Sequence, residues 1–320
     1  MTAGPELGFD RETGVFAGAS AREQVARLAF QAGARLSSAW SHRGFAAGCR
    51  AVRSVLADRD ITVRLNDDAQ FAFPYGDGYW TLLLDRTYHY EADIELFFKG
   101  IASVDYTLID CGANYGYWSV LATSKPFGAH RAIAIEPSSR NFVRLDHNAR
   151  INGNRFKPMR YAIAETAGAA MLSGDKHEAL SIVPAAGKPG EEVDVISLDS
   201  LIDQHMITAL GRYVVKLDVE GVEIAAMRGG ERLLQSDCVL ICEDHGSDRT
   251  HAVSRHILSN TKLKLFCFDR ATGHFEHLRD VSALDRIKQH SHVGYNVLAT
   301  ASTFWESHIR ALIVEPARSH

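Results

Sequence analysis

The chain has 320 residues, of which 46% are hydrophobic and 23% charged, and it carries a formal net charge of -4 with a pI of about 6.4. This length can bury the core of one sizeable α/β domain with an addition, and the whole-chain charge gives no sign of a nucleic-acid partner. Five cysteines without a C-x-x-C pair, and a start without the features of a signal peptide, argue against a disulfide scaffold and predict a cytoplasmic protein, and no apolar run approaches membrane-spanning length.

The region from residue 20 to residue 58 is predicted to be helical. Its apolar residues recur at helical spacing: Val25, Leu28, Ala29, Ala32, Leu36, Ala39 and Trp40. Gly33, Gly44 and Gly48 argue against a single uninterrupted helix. Between Ala21 and Arg53 the sequence has six arginines and one acid. This excess is typical of a solvated helix face, but it would also suit an anionic membrane, an acidic substrate or a second copy in a homodimer.

A β-hairpin and a further helix come next. Residues 61–73 alternate in polarity on both sides of an Asn-Asp-Asp turn, which predicts a hairpin that ends at Pro74. Apolar residues at helical spacing predict a helix over 91–101. We therefore divide the chain into an N-terminal helical segment with a hairpin cap, residues 1–100, and a cofactor-binding domain, residues 101–320.

The segment LIDCGANYGYWSV is the most informative part of the chain. An apolar run ends at Asp110, and Gly112 and Gly116 then bracket a small loop that leads into an apolar-periodic stretch. A second apolar run, AIAI, ends at Glu136. This pattern is typical of the first half of a nucleotide-binding βαβ unit. Glycines there let the backbone approach a ligand, and the acid at the next strand end accepts hydrogen bonds from ribose hydroxyls.

Strand and helix patterns alternate from Tyr106 onward. We predict strands near 106–110, 132–136, 158–163, 213–218 and 238–243, helices after the first two strands and over 198–205 and 220–234, a loop over 187–192, and a late strand over 295–300. Such alternation predicts an α/β fold in which helices cover both faces of a mostly parallel sheet. Ligands should bind at the carboxyl ends of its strands, where the strand order reverses.

The glycine loop also bears on the identity of the cofactor. A dinucleotide site typically has G-x-G-x-x-G, whereas this loop has G-x-x-x-G with Asn114 at the position of the middle glycine. Asp110 places a negative charge beside any ligand, which would repel a pyrophosphate and attract a cation. S-adenosylmethionine (SAM) has no phosphate and carries a sulfonium and an ammonium group. The residues therefore favour SAM over NAD.

The later segments LDSLID, VVKLDVEGVEIAAMRGGERLL and VLICEDHG, together with DCGANYGYWS, IEPSSRNFVRLDHNARIN and the Tyr90-Glu91 pair, resemble the FkbM family of SAM-dependent methyltransferases. The resemblance runs from about Tyr90 to about Leu298, and the K-x-D-x-E-G-x-E stretch from Lys216 to Glu223 is its most specific mark. It implies a class I, Rossmann-like fold with a late antiparallel strand. It also implies direct in-line transfer of a methyl group to a hydroxyl of a sugar or natural-product-like small molecule.

The predicted cofactor-binding residues lie at the ends of the first three strands of the domain: Asp110, Gly112, Asn114, Gly116, Glu136, Ala162 and Ile163. By the resemblance, Asp110 helps to hold the amino acid portion of SAM. The strand-end position of Glu136 assigns it the two ribose hydroxyls. The adenine is expected beside Ala162 and Ile163.

The acceptor side is assigned from the last strand ends and the cap. His245 is the candidate general base because histidine titrates near neutrality, and Asp218 is the alternate base. Predicted acceptor contacts are Tyr90, Glu220 and Glu243, with Tyr79, Trp80 or His89 as further candidates to shape the pocket. Lys216 is expected to pair with a carboxylate, since a lone buried ammonium is costly.

Three alternatives stay open at this point. Asp218, Glu243, Asp244 and His245 would offer oxygen and imidazole ligands to magnesium, which some sugar O-methyltransferases use to acidify the acceptor hydroxyl, although nothing in their spacing indicates a metal site. A NAD-linked oxidoreductase would keep the fold and Glu136 but would need room for phosphates. A non-catalytic nucleotide-binding scaffold would keep only the core.

Overall fold

The structure is a computed structural model that describes residues 6–176, 179–183, 190–291 and 294–313. In chain order its strands are β1 (Leu7–Asp10), β2 (Phe16–Ala17), β3 (Asp60–Asn66), β4 (Ala69–Pro74), β5 (Thr107–Cys111), β6 (Arg131–Ile135), β7 (Phe156–Met159), β8 (Ala162–Ile163), β9 (Gly168–Lys176), β10 (Ala179–Val183), β11 (Glu191–Ile196), β12 (Arg212–Leu217), β13 (Asp237–Glu243), β14 (Lys264–Asp269), β15 (His274–Leu278) and β16 (Asn296–Thr300).

The helices connect these strands and cover the sheets. In chain order they are α1 (Ala21–Ser38), α2 (Phe45–Arg53), α3 (Ala92–Gly100), α4 (Tyr117–Ala122), α5 (Ser139–Ile151), α6 (Ser200–Asp203), α7 (Glu223–Arg228), α8 (Glu231–Leu234), α9 (Ala252–Asn260), α10 (Ser282–Ile287) and α11 (Thr303–Ala311), with 3₁₀ turns at Trp80–Leu84 and Lys125–Phe127. In the described part of the chain, no helix combines the length and the apolar character that crossing a bilayer requires.

The central sheet has the strand order β15-β14-β16-β13-β12-β5-β6-β7. Neighbouring strands from β7 to β13 pair in parallel, while β16 runs antiparallel to both β13 and β14. The mostly parallel sheet and its late antiparallel strand confirm the predicted Rossmann-like class I fold. From β5 the chain first builds outward to β6 and β7, then returns to β12 on the other side of β5. The strand order therefore reverses between β5 and β12, and a ligand crevice is expected there.

Apolar side chains on both faces hold the central sheet in place. Val214 belongs to the cluster on one face and Val215 to the cluster on the other, and both are fully buried. Strands buried on both faces read as continuous apolar runs, and VLIC in β13 has this character, while Lys216 interrupts the otherwise apolar VVKL of β12. The charged residues that close these runs consequently lie at the strand ends, at the edge where the crevice forms.

Residues 6–100 contain a separate four-stranded sheet of order β2-β1-β3-β4 with α1 and α2 packed near it. The antiparallel pair β3 and β4 confirms the predicted hairpin. Ser20 and Glu23 form a capping box at the start of α1, and Gly44 in a left-handed conformation precedes α2. The core of this region continues into the central sheet, since one apolar cluster contains both Phe71 and Leu108. The boundary between residues 100 and 101 remains a prediction.

Asn148 of α5 and Asn152, the residue that follows this helix, fix the open edge of β4 to the domain that contains the central sheet. Asn148 accepts a hydrogen bond from the Ala72 amide at 2.7 Å and donates to the Ala72 carbonyl at 3.1 Å. Asn152 makes the same pair of contacts with Gln70, at 3.0 Å and 2.6 Å. Side-chain amides thus replace the neighbouring strand that an edge otherwise lacks. Asn148 also donates to the carbonyl of Tyr115 at 2.8 Å, so it joins β4 to the glycine loop.

Some predicted elements differ from the structure. The single strand predicted over 158–163 is two strands, because β7 ends at Met159 and β8 joins a small sheet of order β10-β9-β11-β8. Of the loop predicted over 187–192, residues 187–189 lie outside the described residues, and β11 begins at Glu191.

The long helix predicted over 220–234 is also divided. It starts only at Glu223, after Glu220 and Gly221 at φ angles of 53° and 95°, and it breaks between α7 and α8. Gly229 lies at the break, where a Cβ would lie 2.5 Å from the carbonyl oxygen of Ala164. Close backbone approach at this glycine brings α7 against the loop that follows β8.

Candidate active site

A cleft opens where the strand order reverses, between the carboxyl ends of β5, β6 and β12 and the residues that precede α3. It brings together most of the residues predicted to form the site: Tyr90, Asp110, Gly112, Asn114, Glu136, Ala162, Ile163, Asp218 and Glu220. The cleft also contains residues that the sequence left unassigned: Pro137, Asn141, Tyr161, Trp118 and Val219. Tyr161 and Ile163 come from the chain between β7 and β11, so this wall depends on the sheet change described above.

Gly112 brings the loop after β5 against the loop after β12. Its φ angle is 79°, and a Cβ at this position would lie 1.8 Å from the carbonyl oxygen of Asp218. The Asp218 amide donates to the Cys111 carbonyl at 3.0 Å. The space between the two loops has no room for a Cβ atom, so a glycine is required here for the shape of the cleft.

Gly116 lies in the glycine loop but not on the surface of the cleft. It is absent from the described residues that line the cleft. Its φ angle is 88°, and a Cβ there would lie 2.6 Å from the Cδ1 atom of Leu145. The residue therefore acts behind the loop, where it lets α4 begin close against α5.

Glu136 lies at the floor of the cleft with only 4% of its surface exposed. Its carboxylate accepts hydrogen bonds from the amides of Asn114 at 2.9 Å and Ser138 at 3.0 Å, and from the Asn141 side chain at 3.3 Å. Burial raises its pKa to about 8, against the opposing effect of these donors. The bond from Asn114, whose φ angle is 52°, fixes the glycine loop over β6. Glu136 is thus positioned beside the loop, as predicted.

Asp110 and Lys216 form the buried charged centre of the cleft. Burial raises the pKa of Asp110, while the nearby Lys216 ammonium and the hydroxyl of Ser119, which donates at 2.7 Å, act in the other direction. Lys216 Nζ donates to Asp218 at 2.7 Å. Burial alone would lower the pKa of Lys216, but Asp218, Glu91 and Asp110 raise it well above its usual range. The predicted carboxylate partner of Lys216 is therefore confirmed.

Glu91 is a residue of this charged centre that the sequence did not assign. It has a left-handed backbone, with φ 45° and ψ 62°, directly before α3. Its carboxylate lies 4.0 Å from Lys216 Nζ and accepts from the side chains of Trp118 at 2.6 Å and Asn296 at 3.2 Å. A non-glycine residue held in this conformation requires strong surrounding contacts. The Tyr90-Glu91 pair is part of the family resemblance, and this was the sequence feature that could have identified Glu91 as a residue of the site.

Aromatic rings from the N-terminal region form the facing wall. Trp80 stacks on Tyr117 with ring centroids 5.6 Å apart, and its Nε1 donates to the Asn114 side chain at 3.3 Å. The hydroxyls of Tyr79 and Tyr90 lie 2.8 Å apart. Tyr79, Trp80 and Tyr90 therefore lie where the sequence predicted pocket-shaping residues.

The structure corrects the placement expected for His89 and His245. His89 is exposed and its Nδ1 lies 2.9 Å from Glu95, outside the described lining. His245 is also exposed, and its Nδ1 lies 2.7 Å from the Ser247 hydroxyl. Since β13 ends at Glu243, the alternation that would place His245 on the face of the cleft no longer applies.

Glu243 lies close to the charged centre but is not part of the described lining. Burial, together with Asp218 and Glu91, raises its pKa to about 9. The next residue, Asp244, is buried and accepts from Lys288 at 2.6 Å. Among the described residues, no group of three or more His, Cys, Asp or Glu side chains is arranged to hold a metal ion.

The charges of the cleft determine which ligands it can accept. Four acidic residues, Asp110, Glu136, Asp218 and Glu220, line it, of which Glu136 becomes charged as pH rises toward 8, and Lys216 is its basic lining residue among those described. Such a surface disfavours a pyrophosphate and favours a cationic ligand. A buried carboxylate beside a glycine loop can accept hydrogen bonds from a ribose diol. The arrangement therefore suits a nucleoside that carries positive charge.

Comparison with known proteins agrees with this geometry. The model of the methyltransferase FkbM domain matches residues 110–278, which is more than half of the chain. A curated relative, the hexuronic acid methyltransferase AglP of Haloferax volcanii, is 27% identical over 162 residues. That match covers 51% of this chain and 65% of the relative, which is less than two thirds of its length.

Solved structures of methyltransferases are also similar. The methyltransferase FkbM of Methylobacillus flagellatus KT is 18% identical with a TM-score of 0.40, and the match covers 61% of this chain and 43% of that one. The precorrin-6Y C5,15-methyltransferase of Geobacter metallireducens GS-15 is 13% identical with a TM-score of 0.38, over 66% of this chain and 88% of that one. The fold assignment itself follows from the strand order given above.

Proposed function

The chain belongs to the FkbM methyltransferase family, and on this premise we propose that it is a SAM-dependent O-methyltransferase that acts on a hydroxyl of a sugar. The observation that carries the proposal is the buried Glu136 carboxylate, hydrogen-bonded to the Asn114 amide of the glycine loop, in a cleft whose other charges are mostly negative. These features suit a cationic nucleoside without phosphates.

The residues of the cleft fit SAM at each of its parts. Glu136 would accept hydrogen bonds from the ribose hydroxyls, and Ala162 and Ile163 would flank the adenine. Asp110 would hold the amino acid portion through its ammonium group, at the end of β5. When bound, SAM supplies a methyl group activated by a sulfonium. The protein then contributes mainly the position of the acceptor and the removal of its proton.

A sugar acceptor is supported by the aromatic wall and by the relative named a hexuronic acid methyltransferase. The Tyr79 and Tyr90 rings lie opposite the strand ends. Apolar faces of sugar rings stack on such side chains, while the paired hydroxyls of Tyr79 and Tyr90 offer polar contacts. Glu220, at the mouth of the loop after β12, would contact the acceptor hydroxyls.

For the general base, the cleft favours Asp218 over His245. Asp218 lines the cleft, and Lys216 Nζ donates to its carboxylate at 2.7 Å, which fixes the position of this side chain. His245 is directed to the turn that contains Ser247. If Asp218 removes the proton, Asp218→Asn should lower kcat by about 10²- to 10⁴-fold, whereas His245→Asn should leave it within about twofold. The reverse result would assign the base to His245.

The proposal is tested by ligand binding and turnover with the full chain. S-adenosylhomocysteine should raise the thermal midpoint, and NADH should not. Radiolabelled SAM should then transfer its methyl group to a panel that contains hexuronic acids and neutral glycosides. Stabilisation by NADH alone would support the oxidoreductase alternative. Failure to bind either ligand, with no turnover, would support the scaffold alternative.

A further inference from the structure

We propose that the outward face of α1 and α2 docks onto an anionic membrane surface. This docking face consists of exposed apolar residues, Val25, Leu28, Leu36 and Trp40, and exposed arginines, Arg22, Arg35, Arg43 and Arg50. It lies outside the cleft, and its binding to a membrane does not rest on the proposed methyl transfer.

Helix α1 is apolar on two opposite faces. Its inner face packs on the N-terminal sheet through Ala26, Phe30 and Ala34, which are buried. Its outer face exposes Leu28 by 56% and Leu36 by 73%. An ordinary surface helix carries polar residues on the side opposite its core. The outer stripe continues past the end of α1 to Trp40, which is 66% exposed. The exposed apolar residues therefore form a patch, unlike the single exposed leucines that are common on protein surfaces.

Arginines flank this stripe. At the helical period of α1, Arg22 and Arg35 fall on opposite sides of the exposed leucines. Arg43 is exposed between α1 and α2, and Arg50 is exposed within α2. In the described part of the chain Arg22, Arg43 and Arg50 make no ion pair, whereas Arg35 lies 3.4 Å from Asp85. The local acid Glu23 is buried and held by Ser20 and Arg59. The face therefore keeps its positive charge.

Apolar side chains between arginines fit the boundary between lipid headgroups and acyl chains. Leucine and tryptophan side chains enter the acyl region, while arginines remain among anionic headgroups. A second copy of this chain fits less well, because a two-fold contact through this face would bring two sets of unpaired arginines together. A nucleic acid would use the arginines but would leave Val25, Leu28 and Leu36 in contact with phosphates and water.

The docking face is fixed rigidly to the rest of the molecule. Gln31, at the edge of the inner face of α1, donates to the Leu84 carbonyl at 2.8 Å, at the end of the 3₁₀ turn that begins with Trp80. Trp80 in turn lines the cleft. Docking would therefore hold the aromatic wall in a fixed relation to the membrane.

The test is co-sedimentation of the full chain with vesicles of phosphatidylcholine, alone or mixed with phosphatidylglycerol. The protein should bind the mixed vesicles and not the neutral ones. A variant with Arg22→Gln, Arg43→Gln and Arg50→Gln should lower the partition coefficient about a hundredfold, since each basic residue near an anionic surface contributes about 1 kcal/mol.

A second variant tests the apolar part of the face. Leu28→Ser with Leu36→Ser should lower binding at least about tenfold, because it removes the side chains that enter the acyl region. Leu210→Ser is the matched control, since Leu210 is 97% exposed on another surface, and it should bind as the parent does. All variants replace exposed residues, and circular dichroism and the thermal midpoint should confirm that each is folded.

Several outcomes would overturn the proposal. These are no binding to mixed vesicles, equal binding to neutral vesicles, or binding that neither variant reduces. Light scattering is applied to the parent protein and to the Leu28→Ser and Leu36→Ser variant. A dimer of the parent that is a monomer in the variant would assign the face to a second copy. Salt-sensitive binding of RNA that the arginine variant abolishes, without vesicle binding, would assign it to nucleic acid.

Discussion

The two walls of the cleft are built in different ways. The wall at the strand ends consists of polar groups held by backbone contacts, such as the Gly112 approach to Asp218 and the bonds of Glu136. The opposite wall, mainly from the N-terminal region, consists of aromatic rings packed on one another, with Trp80, Tyr90 and Tyr117 in mutual contact. The shape of the strand-end wall therefore depends on a few close contacts between individual atoms. The shape of the aromatic wall depends on the packing of several rings together. Charges at Lys216 and Glu91 join the two.

Removing the charge that joins the walls should have the largest effect. Lys216→Met would leave Asp218, Asp110 and Glu91 without their cation, and breaking a buried ion pair on one side costs about 3–5 kcal/mol. The free energy of unfolding, measured by urea titration, should fall by that amount. The exposed Lys262→Met is the control, and equal stability of both variants would show that the ammonium is not required.

Adding one methyl group tests the strand-end wall. The Cβ of Gly112→Ala would lie 1.8 Å from the Asp218 carbonyl at a φ angle of 79°, so the two loops must separate. We expect a loss of about 3 kcal/mol in unfolding free energy and of detectable S-adenosylhomocysteine binding by calorimetry. Gly48→Ala has no atom within 4 Å of its added Cβ and should bind normally. Normal S-adenosylhomocysteine binding by Gly112→Ala would show that the close contact between Gly112 and Asp218 is not required for the shape of this wall.

Substitution of the ribose acceptor should have an intermediate effect. Glu136→Gln keeps the shape of the side chain but removes its charge, and hydrogen bonds to a charged group contribute about 1.5–3 kcal/mol. We expect S-adenosylhomocysteine affinity to fall by about 10- to 100-fold in calorimetry. An unchanged affinity would exclude the ribose assignment.

The raised pKa of Glu136 also predicts a pH dependence. Ribose donors favour the charged carboxyl, so its pKa falls on binding from the value of about 8 in the free protein. Affinity should therefore increase as pH rises toward 8 and become constant above it. The folded form holds its proton up to a higher pH than the unfolded chain, whose pKa is near 4.5, so Glu136 lowers the stability of the free protein as pH rises from 4.5 to 8. Glu136→Gln should lose both dependences.

The smallest effect is expected at the contact that supports the aromatic wall from behind. Asn152→Ala removes two hydrogen bonds to Gln70, each worth about 1 kcal/mol. The thermal midpoint should fall by a few degrees, while S-adenosylhomocysteine affinity should change less than twofold. Asn260→Ala, at the exposed end of α9, is the control for loss of an asparagine. A large loss of affinity would mean that the two walls are coupled more tightly than their packing indicates.

The same contrast explains what the sequence could predict. Strands β5, β6 and β12 are apolar runs that end in acids, so the positions of Asp110, Glu136 and Asp218 followed from the pattern. The placement of His245 failed by two residues, because β13 ends at Glu243 and alternation cannot extend past a strand end. Strand β14 was missed although its interior is the apolar run LFCF, and β15 was missed because polar and charged residues interrupt its apolar positions.

Long-range contacts account for the rest. The role of Glu91 depends on a left-handed backbone and on partners up to 205 residues away, which no local pattern reports. Tyr161 enters the cleft only because the chain changes sheets between β7 and β8. Asn148 and Asn152 belong to the segment IEPSSRNFVRLDHNARIN, and their role depends on the position of β4 beside α5, which the sequence does not show.

Asn148 determines how this chain could be shortened. One side chain holds Ala72 of the N-terminal sheet and the carbonyl of Tyr115 in the glycine loop. A fragment trimmed to the family-matched segment, which begins at residue 110, would lack Ala72, the strand residue that Asn148 contacts. It would also lack Leu108, and apolar residues of the same cluster such as Val214 would become exposed. A chimera that joins a new N-terminal region to this segment must therefore supply an edge strand with which the Asn148 amide can form hydrogen bonds.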